Sequence, residues 1–181
     1  IWAIQDKEVP GTPIRISLWY GSLADTRLLS AGRQTARRAA IVSPDDTFIS
    51  IGGGTALALA RAAGERTILH DVSKLAPICL GQVATTSAGK LPVEFIFHGA
   101  SVELRNDGVM SSNDSIYQTT KNALLTAVSL GVEALFVPLL GAGAGGAPAS
   151  RSVQQILRAI FDLNSVLDSS TLSINPLRIN V

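Results

Sequence analysis

Two glycine tracts, each wedged between an apolar run and a helix-patterned segment, constrain this chain more than any other feature. Gly52-Gly53-Gly54 opens into the Ala- and Leu-rich stretch Thr55–Ala63, and Gly141-Ala142-Gly143-Ala144-Gly145-Gly146 follows the nearly continuous apolar run Ala134–Leu140. Such a run suits a strand buried on both faces. A strand that leads through glycines into a helix is a crossing unit of an α/β sheet. Glycines also let backbone N–H groups converge on an anion, and a helix N-terminus adds partial positive charge. Either tract alone reads equally well as turn glycines. Two together suit a diphosphate.

The rest of the chain agrees with an α/β reading. Pro13–Trp19 alternates Ile14, Ile16 and Leu18 with Arg15 and Ser17, as a strand does. Residues 26–38 read as a surface helix, with Arg33, Arg37 and Arg38 on a solvated face. Ala39–Ser43 reads as a short buried strand, and Gly64 stands where a helix-ending glycine belongs. Gln82–Ser87 and Val93–His98, separated by Ala88-Gly89-Lys90, predict an antiparallel hairpin and hence a mixed sheet. Arg105–Asp114 is polar and reads as a loop. Ile116, Thr120, Ala123, Leu124, Ala127 and Val128 share one helical face, with Asp114 or Ser115 as N-cap and Gly131 as terminator. Ser150 is expected to cap a helix carrying Val153, Ile156, Leu157 and Ile160. A last strand is expected within Leu172–Val181, interrupted by Pro176. These elements predict a three-layer α/β/α fold with a mixed central sheet, as one domain over residues 1–181 with its core at about 14–180.

Composition narrows the function classes. Fifteen Lys and Arg balance fourteen Asp and Glu, so a net charge of +1 supplies no bulk field for nucleic acid or an anionic membrane. An anion must be held locally. With one cysteine, Cys79, and two histidines, His70 and His98, there is no disulfide framework and no zinc cluster. Neither a metal nor a cofactor is expected. Cys79 reads as a small buried apolar residue and His98 as a residue that pins the sheet end. No apolar run is long enough to span a bilayer. A start at Ile1 suggests a domain excised from a longer chain, for which a cytoplasmic location is expected; the oligomeric state is left open.

The second tract formally matches G-x-G-x-x-G through Gly141, Gly143 and Gly146, the dinucleotide fingerprint. That reading is rejected. The acidic residue due about twenty positions on, at the end of the next strand, is missing: Asp162 falls inside a predicted helix and Asp168 in the loop after it. Pro148 also delays the helix that should begin within the fingerprint.

Four stretches, taken in order, resemble the macrodomain family, whose members bind ADP-ribose. Gly21-Ser22-Leu23-Ala24 stands where the family has a Gly-Asp-Ile-Thr-like turn. Ser43-Pro44-Asp45-Asp46 followed by Gly52-Gly53-Gly54 keeps the spacing of Asn-Ala-Ala-Asn and a glycine triplet. Gly81–Pro92 running into His98 is similar to the family's hairpin, and Pro138–Pro148 parallels its Pro-x-x-Ser-Thr-Gly-x-x-Gly-x-Pro loop.

The resemblance implies that Gly52, Gly53, Gly54 and Thr55 lie along the distal ribose and its phosphate. Gly141, Ala142, Gly143, Ala144 and Gly145 would wrap the diphosphate through backbone N–H groups. Asp46 takes the place of the asparagine that bonds the distal ribose. A carboxylate accepts from hydroxyls but cannot donate, and its charge faces that of the diphosphate. Ser22, beside Leu23, replaces an aspartate that accepts from the adenine amino group; Asp25 is the alternative acceptor, or else the N-cap of the helix from 26. Gly145 replaces an aromatic residue and is expected to leave that end of the cleft open. Asp45 and Asp46 are the only carboxylates in the signature.

Three functions follow as expectations. The first is a module that binds ADP-ribose or an ADP-ribosylated protein. The second is a hydrolase that removes ADP-ribose from proteins or cleaves O-acyl-ADP-ribose, with Asp46 as the catalytic carboxylate, because Ala56 occupies the position of the usual aspartate. The third is a protein or nucleic-acid interaction domain using Arg33, Arg37 and Arg38, against which sparse aromatics argue.

Overall fold

The computed structural model describes residues 2–8, 14–33, 36–166 and 178–180. The elements run β1 (Trp2–Glu8), β2 (Arg15–Tyr20), α1 (Thr26–Arg33), β3 (Ala39–Asp46), α2 (Gly54–Ala63), α3 (Glu65–Val72), β4 (Val83–Ser87), β5 (Phe95–Arg105), β6 (Gly108–Met110), α4 (Asn113–Ser129), β7 (Ala134–Phe136), α5 (Ala149–Val166) and β8 (Arg178–Asn180). The strands form a mixed sheet in the order β1-β2-β8-β7-β3-β5-β4, with β6 paired to β5. The neighbours from β2 through β5 run parallel, whereas β1, β4 and β6 pair antiparallel.

Strand β3 explains why the sheet needs helices on both faces. Its side chains alternate between two cores: Ala40 and Val42 pack with Ile116, Leu124, Ile156 and Ile160 of α4 and α5. Ala39 and Ile41 pack with Leu28, Leu59 and Ile68 of α1, α2 and α3. The first four residues of β3, Ala39–Val42, are apolar at every position and cannot face water on either side, so the strand is driven to the centre. The expected three-layer α/β/α arrangement with a mixed sheet is the one observed.

Several boundaries differ from expectation for identifiable reasons. Helix α1 ends at Arg33, whose guanidinium turns inward to donate to the carbonyls of Ala36 and Pro92 and to pair with Glu94 at 2.8 Å. Arg38 donates to the Leu130 carbonyl at 2.8 Å, so the three arginines do not form one solvated helical face. Strand β3 runs three residues beyond Ser43, to Asp46. Strand β7 stops at Phe136, because Pro138 offers no N–H to continue a ladder. The polar stretch after Arg105 is not all loop: Gly108–Met110 folds back on β5.

Helix α4 is capped by Ser112, two or three residues earlier than expected, through a reciprocal pair with Ser115 at 2.9 Å each way. Helix α5 begins at Ala149, where the Pro148 carbonyl accepts the first turns' amides; Ser150 therefore lies inside the helix. Cys79 is exposed. The expected strand within Leu172–Val181 is described only as β8; its remaining residues lie outside the described ones. No described helix is long and apolar enough to cross a membrane.

Candidate functional site

Because β3 and β7 are parallel neighbours, the segments leaving their C-terminal ends emerge side by side. One carries Gly52–Gly54 into α2 and the other carries Gly141–Gly146 toward α5. Between them lies a cleft of two lobes. The larger, about 860 Å³, is walled by Trp19, Tyr20, Ser22, Leu23 and Leu28 on one side, by Gly54, Thr55 and Ala58 below, and by Pro138, Leu139, Ala142 and Gly143 opposite. The smaller, about 360 Å³, is lined by Asp45, Asp46, Ser50, Gly52–Gly54 and Thr55. Val102, Leu104 and Val109 form a further wall, and Gly141, Gly143, Ala144 and Gly145 the last. Gly54, Thr55, Leu139 and Gly143 border both lobes.

The two glycine loops present backbone to this cleft. Helix α2 has Gly53 as its N-cap, with no side chain bonded to the first-turn amides. Nothing lies within 4 Å of where a Cβ on Gly53, Gly54 or Gly143 would stand, so these three face open space. Gly141 and Gly145 are different. A Cβ on Gly145 would come within 2.8 Å of the Gly141 carbonyl and of Val102, and within 3.0 Å of Ser111. A side chain at Gly145 would therefore meet Val102 and Ser111.

Ser111 had no signal in the sequence, yet it holds the second loop. Its amide and its hydroxyl both bond the Gly145 carbonyl, at 3.1 and 2.9 Å. Ser50 does the equivalent for the first loop, donating its hydroxyl to Asp46. The other Asp46 oxygen accepts from the Phe48 amide at 2.7 Å and, more weakly, from the Ser50 amide at 3.4 Å. This tether closes a segment in which Ile49 and Ile51 both hold positive φ, at 49° and 51°. For β-branched residues that backbone is strained. Burial of both side chains to 4% exposure or less offsets it.

Asp45 and Asp46 are successive residues, which in a regular strand face opposite ways. Here the register against β5 shifts between them, so both line the smaller lobe. Asp45 is 3% exposed; its Oδ2 accepts from the Ser43 hydroxyl at 2.7 Å and lies 3.1 Å from His98 Nδ1. His98 Nε2 is 3.0 Å from Thr86 Oγ1. With its proton on Nδ1 the ring donates to Asp45 and accepts from Thr86. Thr86, His98 and Asp45 thus follow the bond order of a nucleophile–base–acid relay, but Thr86 and His98 are buried away from the cleft lining. The relay braces β3 against β5 and β4, deeper in the sheet than the expected pin at its end.

Of the residues the resemblance assigns to the ligand site, Asp25 alone is outside the lining of both lobes. It caps α1, accepting from the Arg27 amide at 2.9 Å and pairing with the Arg27 guanidinium at 2.8 Å. The guanidinium bonds hold its carboxyl down at about 2. Ser22 borders the larger lobe, and its hydroxyl accepts from the Ala24 amide at 3.2 Å. Among the described residues no three His, Cys, Asp or Glu side chains are grouped to hold a metal.

With two parallel strands delivering glycine loops to one cleft, the chain belongs to the Macro domain family, whose model matches residues 42–156. An uncharacterized protein of Aeropyrum pernix is 33% identical over 140 residues, 77% of this chain and 70% of its own length. One of Mycobacterium tuberculosis is 32% identical over 121 residues, which is 67% of this chain but 33% of that protein. Among solved structures, the Oceanobacillus iheyensis macrodomain with ADP superposes with a TM-score of 0.73 at 18% identity, covering 98% of this chain and 86% of that one. The Trypanosoma brucei macrodomain in complex with ADP-ribose gives 0.71 at 18%, covering 95% and 66%.

Proposed function

We propose that this protein binds ADP-ribose, free or attached to protein, with the diphosphate between the two glycine loops. The observation that carries the reading is the two-lobed cleft whose lobes meet at Gly54, Thr55 and Gly143. A nucleoside diphosphate sugar has the same layout: a flat base and ribose on one side of the diphosphate, a polyol on the other. The larger lobe, with Trp19, Tyr20, Leu23, Leu28 and Pro138, suits the nucleoside. The smaller, with its carboxylates, suits sugar hydroxyls. Backbone amides of Gly52–Gly54 and Gly141–Gly145 take the phosphates, with the α2 N-terminus behind them. Structural neighbours holding ADP and ADP-ribose support this assignment.

Binding without rapid hydrolysis is the reading the site favours. General-base catalysis needs a carboxylate that can reach the attacking water. Asp46 is already committed to Phe48 and Ser50, and turning it outward would release the strained loop it closes. Ala56, at the start of α2, is buried and apolar. The Arg33 and Arg38 contacts at the opposite end of β3 weaken the interaction-domain alternative.

Calorimetric titration with ADP-ribose, with AMP and NAD as competitors, tests the binding reading. ADP-ribose is expected to bind and AMP to compete more weakly. Time-resolved loss of label from an ADP-ribosylated protein tests the second part, with slow or no release expected. Fast turnover by both the wild type and Asp46→Asn would overturn it.

A further inference from the structure

The larger lobe offers a ring flat surfaces and hydroxyls, and no fixed charge. Its side chains are aromatic, aliphatic or hydroxylic, and the described residues that line it include no charged or carboxamide side chain. The carboxylate nearest in sequence, Asp25, stands outside the lining and is engaged by the Arg27 amide and guanidinium. Ser22 is exposed at the lobe, and its Oγ already accepts from the Ala24 amide at 3.2 Å. Its proton is then left to donate, and a second lone pair to accept. A carboxylate there could only accept, so it would select a base with an amino group and reject one with a carbonyl; a hydroxyl satisfies either. Tyr20 also borders the lobe and is 74% exposed. Stacking on such a ring does not tell one base from another.

Resting on the ADP-ribose reading above, we infer that the larger lobe is tolerant of the base. Ser22 meets an amino or a carbonyl group at the ring edge equally well, and Tyr20 supplies stacking that either ring can use. The ligand class then widens from ADP-ribose to purine nucleoside diphosphate riboses, with hypoxanthine accepted in place of adenine. The diphosphate between the glycine loops is common to all of them, so affinity is set there and not at the base.

The test is titration of wild type, Ser22→Asp and Tyr20→Ala with ADP-ribose and with inosine diphosphate ribose, which has a carbonyl where adenine has its amino group. In the wild type the two affinities are expected to agree within about threefold. Ser22→Asp keeps an oxygen to accept from the Ala24 amide, so the turn is retained. It presents an acceptor only, and preference for ADP-ribose should rise to about tenfold or more. Tyr20→Ala should weaken both ligands alike, by about fivefold or more. The wild-type ratio decides by itself should either variant not fold. A wild-type difference beyond threefold, a Ser22→Asp ratio equal to the wild type's, or a Tyr20→Ala loss confined to one ligand would overturn base tolerance and leave the ADP-ribose reading standing. Wild type that binds neither ligand would overturn both.

Discussion

The two glycine loops of the cleft reach the same end by opposite means. In the first, the glycines are at its exit: Gly53 and Gly54 face open space, and the bend before them is made by Ile49 and Ile51 in a strained backbone, closed by Asp46 and Ser50. In the second, Gly141 and Gly145 lie inside the bend, where Ser111, Val102 and a backbone carbonyl leave no room for a side chain. Gly143 and Gly146 have nothing within 4 Å of a Cβ position. The same letter therefore leaves open space at four positions and meets close packing at two.

The largest effect separates those roles most cleanly. Gly143→Glu has space for its side chain and no positive φ to violate, so the protein is expected to fold with a nearly unchanged thermal midpoint. Its carboxylate would occupy the point where the lobes meet, opposing a diphosphate by charge and volume. ADP-ribose affinity should fall by at least about a hundredfold. A folded variant with unchanged affinity would put the phosphate site elsewhere and end the distinction.

Gly145→Ala is the converse experiment. Its Cβ would meet three atoms at 2.8 to 3.0 Å, two of them held by the loop's own hydrogen bonds. Overpacking of this kind costs about 1–3 kcal/mol in stability. Ser111→Ala should cost less, about 1 kcal/mol, because the Ser111 amide still bonds the Gly145 carbonyl after the hydroxyl is lost. Chemical denaturation of Gly143→Ala, Gly145→Ala and Ser111→Ala distinguishes them; equal midpoints for the two glycine variants would show that the crowding at Gly145 is relieved without cost.

These contrasts also mark where the sequence was readable. Apart from β1, β6 and α3, the order of strands and helices, the mixed sheet and the meeting of the two loops followed from apolar runs and glycine tracts, because burial on two faces leaves a continuous pattern along the first half of β3. Helix α3 was missed: ERTILHDV is short and mixed, and it is placed by Ile68 and Val72 reaching a core that no local pattern announces. Ser50 and Ser111 were missed because a lone serine looks alike whether it ties a loop or meets water. Asp45 and Asp46 were placed together in the signature by resemblance alone, since alternation predicts opposite faces; the register shift against β5 is the local feature that accompanies both lining one lobe.

The smallest expected effect concerns a third turn at the cleft's rim, where a side chain does what the first loop leaves undone. Helix α1 is capped by Asp25, whereas α2 has no side-chain cap at Gly53. The Asp25 carboxyl is lowered from 3.8 to about 2, first by the Arg27 side-chain bond and then by the Arg27 amide. A carboxyl held lower in the folded than in the unfolded chain adds stability above its unfolded value and loses it as the pH falls through the folded one. Asp25→Asn keeps a capping oxygen but removes the charge. Its thermal midpoint should lie below the wild type's at neutral pH, by no more than about 2 °C because the Arg27 pair is exposed and screened. That gap should close between pH 3.8 and about 2, where the wild-type carboxyl takes up its proton. ADP-ribose affinity should not change, since Asp25 borders neither lobe. A loss of affinity in Asp25→Asn would make this turn part of the ligand site, and the contrast between a side-chain-capped helix and a ligand-facing one would no longer hold.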